Sequence, residues 1–259
     1  MSSPDLLAAN VRLGWLAVRH EYPPMVYLVG VLVPELLRLL VFCLVGSLTG
    51  GVEGLRFAVV GCAVLAVASA CVAHMSDVPM WDVWSGTYPQ VSLGRVPAIG
   101  QDAARGLPMA AQGVVAAAVA MIGLPLLTGQ LDLVWPLLRW GWVVLPAVFS
   151  ASMLGLAVIA PALGSRWDTL TYNSATAVLT VVSGALFAPA RNPVVDRVGA
   201  VLPLRHSVTA LRNALAGRPL GTELALEACV GVGWAIVAAL LYRGQDRRGR
   251  RHGTGAFAS

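Results

Sequence analysis

Six long apolar stretches dominate the chain: Met25 to Leu48, Phe57 to Met75, Leu107 to Leu127, Gly141 to Leu163, Tyr172 to Phe187 and Leu224 to Tyr242. A helix needs about 20 mostly apolar residues to cross the hydrocarbon core. Each stretch is near that length, the fifth being the shortest. The pattern predicts an all-α polytopic membrane protein with six transmembrane helices. Gly50-Gly51 and Thr128-Gly129-Gln130 punctuate two short connections, while 76–106 and 188–222 are longer and hold most of the polar residues. Ahead of the first stretch, residues 4–20 read as an amphipathic helix, with Ser3 as its cap and Pro4 at its first position. Leu7, Val11, Trp15 and Val18 fall on one face, and Asp5, Arg12 and Arg19 on the other. Such a helix can lie in the headgroup plane or simply rest on the surface of the protein; Pro23-Pro24 ends it.

Composition agrees with this division: 57% of the 259 residues are hydrophobic and 12% are charged. That excludes an ordinary soluble domain and a disordered chain. The net charge of +5 comes wholly from arginine. Without a lysine the chain cannot form a P-loop, whose Lys reaches the phosphates. The Arg-only, Ala/Gly/Val-heavy usage matches a GC-rich bacterial genome. No arginine run alternates with stacking aromatics, so nucleic acid is not an expected partner. Cys43, Cys62, Cys71 and Cys229 sit in apolar runs without C-x-x-C spacing and read as small buried hydrophobes. The N-terminal residues lack the basic region of a cleaved signal, so the first span is expected to stay as an anchor.

With both ends inside, the cytoplasmic segments hold Arg12, Arg19, Arg95, Arg105, Arg166 and the five arginines of the tail, ten against seven outside. This is a weak positive-inside bias, firm only at the tail, with five outer arginines concentrated in 188–222. Intramembrane charges mark functional candidates. Glu35 and Arg38, three apart, share a face and can pair, either at a seam or translocation surface or as a self-satisfied packing device. Glu223 suits a helix N-terminus. Glu227, one turn deeper, is open to an anchoring or a functional role. No H-E-x-x-H or G-x-S-x-G motif occurs, and His20, His74, His206 and His252 lack ligand spacing, so no metal site is expected. His74 reads as an interfacial polar tip.

In 76–106, a helix-capable piece from Asp77 to Trp84 precedes a Ser85-Gly86-Thr87 break and a Pro89 turn. A short helix at the cytoplasmic face would present Asp82, Thr87, Tyr88 and Gln90 to a soluble partner. In 188–222, Asn192-Pro193 opens a helical run with Val195, Val198 and Leu202 on its apolar side. Pro203 breaks it, and a second run from Arg205 carries Val208, Leu211 and Leu215 to a stop at Gly217. Two such helices suggest a re-entrant or surface-lying hairpin with snorkelling arginines; an ordinary exposed loop with two helical turns is the alternative.

The run Ser183-Gly184-Ala185-Leu186-Phe187-Ala188-Pro189, followed by Pro193, Pro203-Leu204, Ala210-Leu211-Arg212 and Gly217, resembles the permease subunits of ABC-2 type exporters, the group containing daunorubicin-resistance and polysaccharide-export permeases. Ser85-Gly86-Thr87 with Tyr88-Pro89 and Val96-Pro97 resembles that family's cytoplasmic coupling stretch, although Tyr88-Pro89 stands where a helical continuation is commoner. The resemblance covers residues 5–242. It implies an interfacial helix (1–24), a six-span domain (25–242) with a cytoplasmic coupling helix and an external re-entrant hairpin between spans 5 and 6 (Pro189, Pro193, Pro203, Arg212, Gly217), and a basic, disordered cytoplasmic tail (243–259). It also implies a bacterial plasma-membrane permease without an enzymatic site or cofactor of its own. Its partners would be membrane lipid, a second permease copy, identical or different, and an ATPase subunit carrying ATP and Mg. Asp82, Trp84, Gly86, Thr87, Tyr88 and Gln90 would contact that ATPase; Glu35, Arg38, Asn173, Ser183 and Glu227 would bear on the pathway or dimer seam. The expected function is outward export of an amphipathic or hydrophobic compound such as an antibiotic, a peptide or a lipid-like molecule. The alternatives are polysaccharide export and a non-pumping membrane assembly protein.

Overall fold

The computed structural model describes residues 3–92, 96–163, 165, 167–186 and 193–252. Every regular element among these residues is helical. The α-helices are α1 (Ser3–Glu21), α2 (Pro24–Tyr27), α3 (Val33–Trp84), α4 (Tyr88–Ser92), α5 (Ala98–Thr128), α6 (Val134–Arg139), α7 (Leu145–Ile159), α8 (Asp168–Val182), α9 (Pro193–Val201), α10 (Arg205–Leu215) and α11 (Gly221–His252). Among the described residues, four helical stretches are long and apolar enough to cross a membrane: Pro24–Trp84, Ala98–Thr128, Gly141–Ala162 and Gly221–Gln245.

The first of these contains both of the first two apolar stretches, folded back on each other. The helix breaks at Gly50-Gly51, where Gly51 takes φ 59°, ψ −144°, a combination closed to residues with a Cβ. The two arms then run antiparallel: a Cβ on Gly54 would lie 2.3 Å from the Gly46 carbonyl oxygen, and farther along Ser69 donates to Glu35 at 2.6 Å. Beside this break, Arg56 donates to Gln130 at 3.1 Å and to Asp132 at 2.6 Å, tying in the turn after α5.

The core lies between the second arm of α3, α5 and α7, where Ala63, Val67, Ala117, Ala120, Ala147 and Ala151 are closed off. Small residues let the helices approach to backbone contact: a Cβ on Gly155 of α7 would meet the Val72 carbonyl at 2.8 Å, and one on Gly231 of α11 the Phe149 ring at 2.5 Å. The outward faces are apolar. Leu37, Val41, Leu44 and Leu48 on the first arm, and Val232, Ile236 and Leu240 on α11, form exposed stripes at helical spacing. Contiguous apolar surface on this scale needs a hydrocarbon environment, and the chain is a membrane protein. The first helix and the far end of the last meet at one end of the bundle, where Gly14 abuts Arg105 and Tyr242 donates to Asp102.

Several boundaries differ from expectation. Asp77 to Trp84 is no separate helix but the continuation of the second arm, so only the five-residue α4 stands apart. α5 begins at Ala98, well before Leu107, because Asp102 and Arg105 on its first turns are mutually paired. α8, which carries the fifth stretch, has 15 residues. The tail is helical from Arg243 to His252, where Gln245 donates to the Ala160 carbonyl at 2.9 Å. On α1, Leu7 and Trp15 of the Leu7–Val11–Trp15–Val18 face are exposed. Gly14 makes the contact with α5, and Trp15 points outward with Leu13 and Leu16. His74 is buried between the rings of Tyr22 (5.1 Å) and Tyr27 (6.5 Å) rather than tipped into an interface.

Candidate functional site

At the end where the termini meet, α3 stops in a Schellman motif. Gly86 takes φ 72°, its N–H bonds the Val83 carbonyl at 3.1 Å, and the Thr87 N–H bonds the Asp82 carbonyl at 2.8 Å. This is the geometry by which a left-handed glycine closes a helix, and it accounts for the Ser85-Gly86-Thr87 break. The Thr87 hydroxyl also donates to the Asp82 carboxylate at 3.1 Å. The same carboxylate receives the Arg105 guanidinium as a fork, Nη1 at 2.9 Å and Nη2 on the other oxygen. Arg105 further pairs with Asp102, whose second oxygen accepts from Tyr242 at 3.0 Å. One network thus joins the end of α3, the start of α5 and the far part of α11, and a charge-assisted fork of this kind fixes geometry as well as sign.

Of the six residues expected at an ATPase contact, Trp84, Gly86, Thr87 and Gln90 are exposed, while Asp82 (7% exposed) and Tyr88 (5%) are buried. Asp82 does not face a soluble partner; it roots the exposed turn in the bundle. Beside it, a cavity of about 590 Å³ opens between α1 and the end of α3, with Leu13, Ala17, Glu21, Trp81 and Trp84 on its walls and Asp82 and Arg105 below.

Glu35 and Arg38 form the pair their spacing predicts, Nε to Oε2 at 3.0 Å and Nη2 to Oε1 at 2.7 Å. Ser69 of the opposing arm completes it, accepting from Arg38 at 3.2 Å and donating to Glu35. The pair therefore fastens the two arms of α3. Glu227, Asn173 and Ser183 do not join it. Asn173 is exposed on α8, and Ser183 is buried, its hydroxyl oxygen accepting from the Ala185 N–H at 3.3 Å.

At the other end, α9 and α10 form a hairpin turned at buried Pro203. Pro193 opens α9 and Gly217 follows the end of α10; Pro189 lies outside the described residues. Glu227, 0% exposed, holds the turn. Its Oε1 accepts from the Leu204 N–H at 2.8 Å and from the Ser150 hydroxyl, and its Oε2 accepts from the Ser207 N–H at 3.1 Å. A carboxylate from α11 thus caps the first turn of α10, the position the helix dipole favours. The Trp234 indole donates to the Val201 carbonyl at 3.0 Å, so the turn sits well along α11 from its start. Arg212 stacks 3.4 Å from the centre of the Phe57 ring and donates to the carbonyls of Gly184, Ala185 and Phe57 at 2.9, 3.0 and 3.2 Å. It is an interior clamp, not a snorkelling surface charge. Two further hairpin side chains are engaged locally: Arg205 pairs with Asp196, and His206 bonds Glu223 at 2.8 Å. The apolar side of α10 is as expected, but α9 packs through Gly199 against the Val182 carbonyl, leaving Val198 exposed.

Four participants were not legible as a set in the sequence: Arg105, Asp102, Ser69 and Ser150. Each is an ordinary polar residue with a partner far along the chain: Asp82 for Arg105, Tyr242 for Asp102, Glu35 for Ser69 and Glu227 for Ser150. Asp102 and Arg105 did carry one signal, the three-residue spacing that also marks Glu35 and Arg38. Among the described residues, no three His, Cys, Asp or Glu side chains cluster to hold a metal ion. Compared with family models, curated proteins and solved structures, the chain matches none.

Proposed function

We propose that this chain is the transmembrane subunit of an ATP-driven exporter of the ABC-2 type, moving an amphipathic or hydrophobic compound out across a bacterial plasma membrane. On this reading the two arms of α3, then α5, the Gly141–Ala162 stretch, α8 and α11 make six crossings. Both termini are cytoplasmic, and the α9–α10 hairpin re-enters from outside. ATP and Mg belong to a separate partner subunit, and a second permease copy completes the pathway.

The observation that carries the proposal is the arrangement around Ser85-Gly86-Thr87. An exposed turn is rooted through Thr87 and Asp82 in an ion-paired network that reaches α5 and α11. A partner pressing on that turn acts on three crossing helices at once. A permease needs no chemistry of its own, only two helix packings that a partner stabilises unequally. The ordered sequence motifs support the same reading, as do four helices fit to cross a membrane.

Thr87→Arg and Gln90→Arg test it. Both residues are exposed. Each variant should insert and fold yet lose substrate-stimulated ATP hydrolysis and export. Unchanged transport in both would overturn the assignment of this turn.

A further inference from the structure

We infer that the groove between α1 and the end of α3 is a binding site for an amphiphilic organic cation. Its volume, about 590 Å³, falls within the few hundred to a thousand cubic ångströms of small-molecule sites. Its walls are built from two helical faces: Leu13, Ala17 and Glu21 on α1, each four apart, and Val78, Trp81 and Ser85 on α3, three and then four apart. The groove exists because Gly14 lets α1 lie directly on the Arg105 carbonyl; a Cβ there would come within 2.0 Å.

Charge decides the class of occupant. Among the described residues Glu21, on the lining, makes no ion pair, and neither does Asp77, off the lining and one turn before Trp81; after burial, these two carboxylates are what most raise the pKa of the Tyr22 phenol next to Glu21. The cation on the lining, Arg105, is already held by two carboxylates, Asp82 and Asp102. Arg12 and Arg19 lie on the opposite side of α1, because residues 100° apart per step place them away from 14, 17 and 21. The lining therefore holds surplus negative charge, Glu21 and Asp82 against Arg105, beside the rings of Trp81 and Trp84. Carboxylates with ring faces attract organic cations, and the apolar walls of Leu13, Ala17 and Val78 suit the hydrophobic remainder. An anion of the same shape would meet net repulsion.

As the place where cargo is first taken up, the groove rests on the exporter reading; as a binding site it does not. The test uses the purified full-length chain in nonionic detergent, without ATP, and equilibrium dialysis of radiolabelled tetraphenylphosphonium against tetraphenylborate, its near-isosteric anion. Saturable binding of the cation is expected, weakened about tenfold or more in Glu21→Gln/Asp77→Asn and in Trp81→Ala, and retained in the charge-conserving Glu21→Asp. Because Glu21 is exposed, the single Glu21→Gln variant keeps the test sound should the double variant fold poorly. Equal binding of the anion, or cation binding indifferent to Glu21→Gln, would overturn the inference. Cation binding without any associated ATPase would uphold the groove and defeat the exporter reading. An ATP-coupled complex that ignores the cation would do the reverse.

Discussion

Glu227→Ala should be among the most damaging single substitutions in this protein. The carboxylate is fully enclosed and serves three donors, the N–H groups of Leu204 and Ser207 and the hydroxyl of Ser150. Alanine leaves two buried N–H groups at a helix start without acceptors, each costing about 1–3 kcal/mol. Leu204 holds φ at 81°, a strained value for a side-chain-bearing residue, kept only while its surroundings enforce it. Against this, burying the carboxylate itself costs free energy that alanine recovers, and water entering the gap satisfies part of the loss. The net destabilisation should be about 3 kcal/mol. Glu227→Gln keeps the shape and one acceptor oxygen but aims an amide N–H at a backbone donor, so about half that loss is expected. Ser150→Ala removes one donor to a charged acceptor and should cost about 1 kcal/mol, but almost nothing in the Glu227→Ala background. The assay is unfolding by sodium dodecyl sulfate in mild detergent, followed by tryptophan fluorescence, in which Trp234 reports directly because its indole bonds Val201 at the same turn. A Glu227→Ala protein within about 0.5 kcal/mol of the parent, or fully additive Ser150 and Glu227 effects, would refute the capping role.

Three further outcomes follow from the same structure. Arg105→Ala leaves Asp82 and Asp102 facing each other without a cation and should destabilise by about 3–5 kcal/mol, with partial recovery in Arg105→Ala/Asp102→Asn; the same unfolding titration checks it. Gly86→Val forces a branched residue to φ 72° and should cost about 1–2 kcal/mol, whereas Gly86→Asn, which tolerates that region, should cost less. Gly14→Leu cannot coexist with the Arg105 carbonyl at its present place, so α1 should lift from α5 and trypsin should cut at Arg19 faster than in the parent; an unchanged rate would show that the contact does not hold α1.

Much of this architecture could be read from the chain because membrane helices announce themselves by length. The apolar stretches, the Gly50-Gly51 turn, the stop after Trp84, the break at Pro203 and the end of α10 at Gly217 all follow from local rules of hydropathy and backbone sterics. The Glu35–Arg38 pair was legible because its partners are one helical turn apart. What stayed hidden depends on register between distant segments. Nothing local says that Glu227 caps a helix twenty residues earlier, that Arg212 lies against Phe57, or that Asp82 serves Arg105 rather than a partner protein. Polar residues near helix ends have several ways to be satisfied, and only the packing of α3, α5, α7 and α11 selects among them. The packing of α1 and α9 stayed hidden for a related reason: Gly14 and Gly199 make close contacts, and a hydrophobicity pattern ranks side chains by greasiness while glycine docks by having none.

The most direct test of a separately powered permease is to isolate the tagged full-length chain in mild detergent from the cells that make it and measure ATP hydrolysis in the purified material. A second polypeptide bearing a G-x-x-x-x-G-K-[ST] loop should accompany it in stoichiometric amount, with vanadate-sensitive hydrolysis that disappears when that polypeptide is stripped away. Export activity from the isolated chain, with no ATP-hydrolysing companion, would contradict it.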